Sequence, residues 1–201
     1  MYNWRKMTEA QRAEALDFRQ RAGVPWHGPP HLIGDRALYH VSAACYEHHP
    51  LIGFSAQRMA IFEKALRDTL ASHSESTFAW CVLPNHYHAL IRTENVLGVL
   101  ADLGRLHGRT SFQWNGEEQC RGRQCWHRAA ERTMRSDRHQ WATVNYIHHN
   151  PVHHRYAKRW QDWPYSSAAR FLQDVGKERA SEIWTEYPVL DYGKGWDEPD
   201  L

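Results

Sequence analysis

The apolar and polar positions of the chain switch between two periods. Residues 37–45 alternate and predict a strand. Met59, Phe62, Leu66 and Leu70 recur at steps of three and four, one stripe of a helix that Ser55 can cap and that runs through Leu70. Residues 78–83 and 86–93 read as two strands of a hairpin joined at Pro84-Asn85. Leu97, Leu100, Leu103 and His107 mark a second amphipathic helix, expected to break down near Gly108. Residues 125–133 predict a further strand. Ser136 or Asp137 can cap a helix that runs to Asn150 and is ended by Pro151, because the residue before a proline avoids the helical region.

The resulting order, β-α-β-β-α-β-α, matches a ferredoxin-like (RRM-like) α+β fold: an antiparallel sheet with packed helices, plus one more helix after the last strand. An N-terminal extension over residues 1–35 precedes this domain. Within it residues 7–22 can form a helix with Thr8 as its cap, and GVPWHGPP (23–30) is too rich in Pro and Gly for regular structure. The domain is expected over 36–155. A C-terminal extension, 156–201, packs on it, with Trp160, Trp163 and Tyr165 as a small docking core.

Composition narrows the class. The 201 residues suit one domain with appendages, and a chain 42% hydrophobic and 24% charged is ordinary for a globular protein. No apolar run is long enough to span a membrane, and the N-terminus lacks the apolar core of a signal peptide. Four irregularly spaced cysteines do not make a disulfide framework, so the expectation is a cytosolic protein with reduced thiols. The net charge of +2 hides an uneven distribution: residues 104–138 hold eight arginines against four acids, and residues 174–201 hold eight acids against three bases. An arginine-rich middle suits a phosphate-bearing partner. Arg105, Arg109, Arg121, Arg123, Arg128, Arg132 and Arg135 are therefore candidates for backbone phosphate contacts.

The chemistry concentrates in two places. In HYH, residues 86–88, the two histidines project to one face of a strand while Tyr87, Ala89 and Ile91 point to the other. In WATVNYIHHNPVHH, residues 141–154, Tyr146 and Asn150 lie four apart on one helix face, beside a packed stripe of Trp141, Val144 and Ile147. Two imidazoles and one amide oxygen form a mixed N/O set with open positions, which suits Mg²⁺ or Mn²⁺ on a phosphate oxygen better than a closed zinc site. A tyrosine one turn from such a ligand is placed for attack on the phosphorus. Cys120, Cys125 and His127 lack a fourth partner for zinc. His148, His149, His153 and His154 cannot all converge on one point of a helix, so they are expected to meet solvent or the phosphates of a partner.

LPNHYHALI, with NYIHHNPV and DWPYSS (162–167) downstream, resembles the REP-associated tyrosine transposases of the HUH single-strand endonuclease superfamily. The similarity runs from about Tyr39 to Ser167 and makes 36–155 the catalytic domain. The resemblance implies that Tyr146 is the nucleophile and that His86, His88 and Asn150 hold Mg²⁺ or Mn²⁺. It also implies hairpin DNA from repetitive extragenic palindromes as partner, nicked and rejoined in its single strands through a 5′-phosphotyrosine. No small-molecule cofactor is implied. A bacterial cytoplasmic protein working at the nucleoid is expected, as monomer or homodimer. Family members often carry glycine where this chain has Arg155. Two other readings stand beside this one: a catalytically silent, domesticated hairpin-binding regulator, and a metal-dependent RNA-processing enzyme on an RRM-like sheet, which the missing aromatic-rich strand disfavours.

Overall fold

Two strands that are apolar on one face and polar on the other form the centre of the sheet. In the computed structural model, which describes residues 8–10, 13, 17 and 37–189, β1 (Ala37–Ala44) pairs antiparallel with β3 (His86–Thr93). β2 (Ser76–Val82) flanks β3 and β4 (Ala130–Thr133) flanks β1, giving the antiparallel order β2-β3-β1-β4. With its connecting helices this is the expected ferredoxin-like α+β architecture. Contacts divide the chain into residues 1–35 and 36–201. The helix expected over 7–22 and the linker over 23–30 fall almost wholly outside the described residues. Of the former, Glu9, Ala10, Ala13 and Asp17 are helical.

Cross-strand partners share a face. The register Ser42↔His88, Ala44↔His86 and His40↔Leu90 therefore gathers three histidines on one face. The opposite face carries Tyr39, Val41, Ala43, Tyr87, Ala89 and Ile91, all buried in the main core. That core is closed by α1 (Ala56–Ala71) and α2 (Val96–Glu117). Ser55 caps α1 by accepting from Arg58 N, and Met59, Phe62, Leu66 and Leu70 form its buried stripe as expected. Truncating a fully buried ring such as Phe62 costs about 3–5 kcal/mol. Arg58, itself buried, joins the start of α1 to the end of α2 through Glu117 (2.9 Å) and Glu118 (2.6 Å).

Three expectations about element ends are corrected. α2 does not break near Gly108 but continues to Glu117. Each glycine inside a helix costs about 1 kcal/mol relative to alanine, but the apolar stripe runs on past it. Val96, Val99, Leu103, Leu106, Thr110 and Trp114 are buried, while Leu97 is 37% exposed. The last strand is confined to Ala130–Thr133, because Trp126 leaves the ladder after one bridge with Cys45 and inserts its ring into the core. There it stacks on His107 (centroids 4.2 Å apart) and Phe62 (5.2 Å). The third correction concerns α3 (Asp137–His153), capped by Ser136, which passes through Pro151. It stops two residues later in a paired bond pattern: Tyr156 N to Pro151 O and Arg155 N to Val152 O, with Arg155 at φ +61°. That pattern is a Schellman stop, whose left-handed position favours glycine. It coincides with the position where the resembled family often has one.

α3 covers the β2–β3 half of the histidine face, burying Val144, Tyr146 and Ile147 against Ala79, Cys81, Leu83 and Leu90. Residues after α3 stay close. Trp163 donates from Nε1 to Val82 O (2.9 Å), and Tyr165 and Ser167 bond to the backbone of Val82 and Trp80. α4 (Ala168–Val175) and α5 (Lys177–Glu186) follow, and Asn145 on α3 donates to the carbonyls of Ile183 and Tyr187.

Candidate active site

β3 enters the site through the turn Leu83-Pro84-Asn85. Leu83 N donates to His86 O (2.8 Å), Cys45 N to Asn85 O (2.7 Å) and Gly53 N to Pro84 O (2.9 Å). Gly53 lies so close to Pro84 that a Cβ there would collide with the proline ring and backbone. The turn is thus closed by its own bond and held by Cys45 and Gly53, and the first residues of β3 are placed with it.

His86 and His88 are both buried, with ring centroids 5.1 Å apart. His86 Nε2 lies 3.0 Å from Asn150 Oδ1, and His86 Nδ1 lies 2.8 Å from Asn85 Oδ1. His88 Nδ1 lies 3.1 Å from His40 Nε2. The Tyr146 ring is edge-on to His88, centroids 5.2 Å apart, and 6.0 Å from His40. The fold thus brings Tyr146, His86, His88 and Asn150 together from β3 and α3. Tyr146 is 6% exposed and Asn150 1%. Asn150 Nδ2 is buried without a hydrogen-bond partner. Among the described residues no group of three or more His, Cys, Asp or Glu side chains is arranged to hold a metal. The donor set here is instead two imidazoles and an amide.

Sequence reasoning missed His40 and Asn85 as participants and expected His154 to meet only solvent or phosphates. His40, a polar residue in the alternation of β1, faces His88 across one strand spacing. His154 lies beside His86, centroids 5.0 Å apart. Asn85 was expected only to turn the chain. Buried His148 neither meets solvent nor is placed for phosphates: its Nε2 lies 2.9 Å from Ser167 Oγ, and burial lowers its pKa to about 3.

The seven arginines do not form one patch. Arg128 and Arg132 line a cavity of about 410 Å³ together with His40, His86 and His88. Arg105 pairs with Asp102 on α2, and Arg109 lines a groove between α1 and α2 with Phe54 and Ile61. Arg121 donates to Phe112 O. Arg123 bonds Glu118 (2.8 Å) and Asn115 Oδ1 (2.9 Å), and its guanidinium holds the Glu118 carboxyl below the usual range. Arg135 lies in the exposed turn before α3. Within the basic middle Arg123 is thus answered by Glu118, and Arg105 by Asp102 just outside it. No helix among the described residues is long and apolar enough to cross a membrane.

No family model matches the chain. Over 141 residues it is 33% identical to a Haemophilus influenzae protein named as a REP-associated tyrosine transposase, an alignment covering 64% of this chain and 77% of that one. Among solved structures it is similar to a REP-associated tyrosine transposase bound to a REP hairpin. The TM-score is 0.51 and the identity 20%, over 67% of this chain and 78% of the other.

Proposed function

The chain belongs to the REP-associated tyrosine transposases, and from that premise we propose that it cuts and rejoins single-stranded DNA next to a hairpin, with Tyr146 as nucleophile. One observation carries the reading: a phenol and an amide one turn apart on α3 face two strand imidazoles of the same chain.

In the proposed reaction Tyr146 Oη gives up its proton and bonds to the phosphorus. The bond from phosphorus to the 3′ oxygen breaks, and that oxygen leaves as a 3′-hydroxyl with a proton. The DNA 5′ end stays on the enzyme as a phosphotyrosine diester. Because one phosphodiester replaces another, the bond energy is kept and a 3′-hydroxyl can reverse the step. A nearly buried phenol on a rigid helix needs a sharply bent phosphate, which an unpaired strand supplies and paired DNA resists. Arg128 and Arg132 line the cavity beside the histidines and would hold the strand by its phosphates. The hairpin serves as anchor, in line with the hairpin in the solved relative.

The residues fit a divalent ion. His86 Nε2 and Asn150 Oδ1 lie 3.0 Å apart and Asn150 Nδ2 is buried without a hydrogen-bond partner, and an imidazole–amide donor set would suit Mg²⁺ or Mn²⁺. His86, His88 and Asn150 would hold it. When bound, Mg²⁺ or Mn²⁺ supplies Lewis-acid withdrawal of charge from the scissile phosphate.

The test is a labelled hairpin with single-stranded flanks, incubated with the protein and Mn²⁺. A denaturant-resistant protein–DNA adduct, mapped to the Tyr146 peptide, is the expected product. Cleavage without an adduct, or an adduct on another residue, would overturn the assignment. Salt-dependent hairpin binding with no cleavage under several divalent ions would favour a silent regulator.

A further inference from the structure

Asn85 does more than turn the chain. Its Nδ2 donates to the His48 carbonyl at 3.1 Å, an atom that only accepts. This bond fixes which way the amide faces, so Oδ1 is the atom turned toward His86 Nδ1, 2.8 Å away. An amide oxygen also only accepts, so Nδ1 carries the ring proton. In the neutral imidazole Nε2 is then a bare lone pair. It is aimed at Asn150 Oδ1, 3.0 Å away, while Asn150 Nδ2 has no hydrogen-bond partner. Two acceptors that close are reconciled by a cation both can reach, a proton on Nε2, or a rotated Asn150 amide.

We propose that Asn85 is a positioning residue: by accepting a hydrogen bond from His86 Nδ1–H it holds the proton on that nitrogen, turns the Nε2 lone pair toward Asn150 Oδ1 and so prepares one wall of a divalent-cation site. This rests on the reading above that His86 and Asn150 share that ion. Ligating histidines are commonly oriented through their second nitrogen, and changing the partner costs about 10–100-fold in metal affinity. The turn itself is held by backbone bonds, Cys45 N to Asn85 O and Leu83 N to His86 O, which the side chain does not make.

The experiment uses the full chain and Mn²⁺ alone, with free Mn²⁺ followed by electron paramagnetic resonance and the His86 tautomer by nitrogen-15 NMR. The unaltered, ion-free protein is expected to show a single Nδ1–H tautomer at His86. Asn85→Ala should lose that preference and bind Mn²⁺ about 10–100-fold more weakly. Asn85→Asp, which keeps an oxygen on Nδ1, should recover most of the affinity. An Nε2–H tautomer in the unaltered protein would overturn the proposal without any variant. Equal Mn²⁺ affinity in the unaltered protein and in folded Asn85→Ala would overturn the role of Asn85 and leave the ion site standing. No Mn²⁺ binding by the unaltered protein would overturn the ion site itself, and the proposal with it.

Discussion

The phenol ring of Tyr146 stands edge-on to the imidazole of His88, ring centroids 5.2 Å apart, although the two residues lie on different elements. Tyr146 also packs in an apolar cluster with Leu90 and Ile147. Tyr146→Phe keeps that packing and removes only the hydroxyl. It is expected to eliminate the covalent adduct, to leave hairpin binding in a gel-shift assay within a few-fold, and to change the unfolding free energy by no more than about 1.5 kcal/mol. An adduct that persists in this variant would remove Tyr146 from the reaction.

The arginines separate by what they touch. Arg128 and Arg132 line the cavity beside the histidines. Replacing both with alanine is expected to lower the slope of log affinity against log salt for single-stranded DNA by about 1.4, near 0.7 per phosphate contact. Arg123→Ala breaks the bonds to Glu118 and Asn115. It should leave that slope unchanged and lower stability by roughly 1–2 kcal/mol, read by urea denaturation.

Acid should unfold the protein through two histidines. Burial lowers the pKa of His107 from 6.5 to about 4 and that of His148 from 6.5 to about 3. Above pH 6.5 both are neutral in either state and cost nothing. As pH falls below 6.5 the unfolded chain takes up protons that the folded one refuses, so stability drops. The loss from His107 ends near pH 4 and that from His148 near pH 3. Each group contributes about 1.4 kcal/mol per pH unit within its window. Unfolding free energies from urea titrations at pH 7.5 and 5 are expected to differ by on the order of 3–4 kcal/mol, and His148→Phe should flatten the dependence.

Arg155 sits at φ +61° in the stop after α3, with its backbone bonded to Val152. A residue with a Cβ pays about 1–2 kcal/mol for the left-handed region. Arg155→Gly is expected to raise stability by about 1 kcal/mol after the extra freedom of an unfolded glycine is counted, visible as a higher melting temperature with unchanged DNA binding.

Local period made the frame legible. Alternation located β1 and β3, the three–four steps of Met59, Phe62, Leu66 and Leu70 located α1, and the spacings 86–88 and 146–150 found the four residues that meet. What stayed hidden depended on distant partners. Gly108 looks like a stop until Thr110 and Trp114 are seen to be buried beyond it. Trp126 looks like a strand residue until Phe62 and His107 draw it inward. His40 joins the site only through the β1–β3 register, and Asn85 only through His48 and His86. The basic middle looked like one phosphate-binding surface because sequence shows charge but not which acid answers it, as Glu118 does for Arg123.

α3 lies against β2 and β3 of its own chain and is latched through Asn145 to residues further along the same chain. The candidate nucleophile and the candidate ligands thus meet within one copy of the chain. An inert copy bearing a changed tyrosine has nothing to lend to a copy bearing changed histidines, so blending the two preparations should yield no intersubunit complementation, and a defective allele should be recessive at the level of the chemistry.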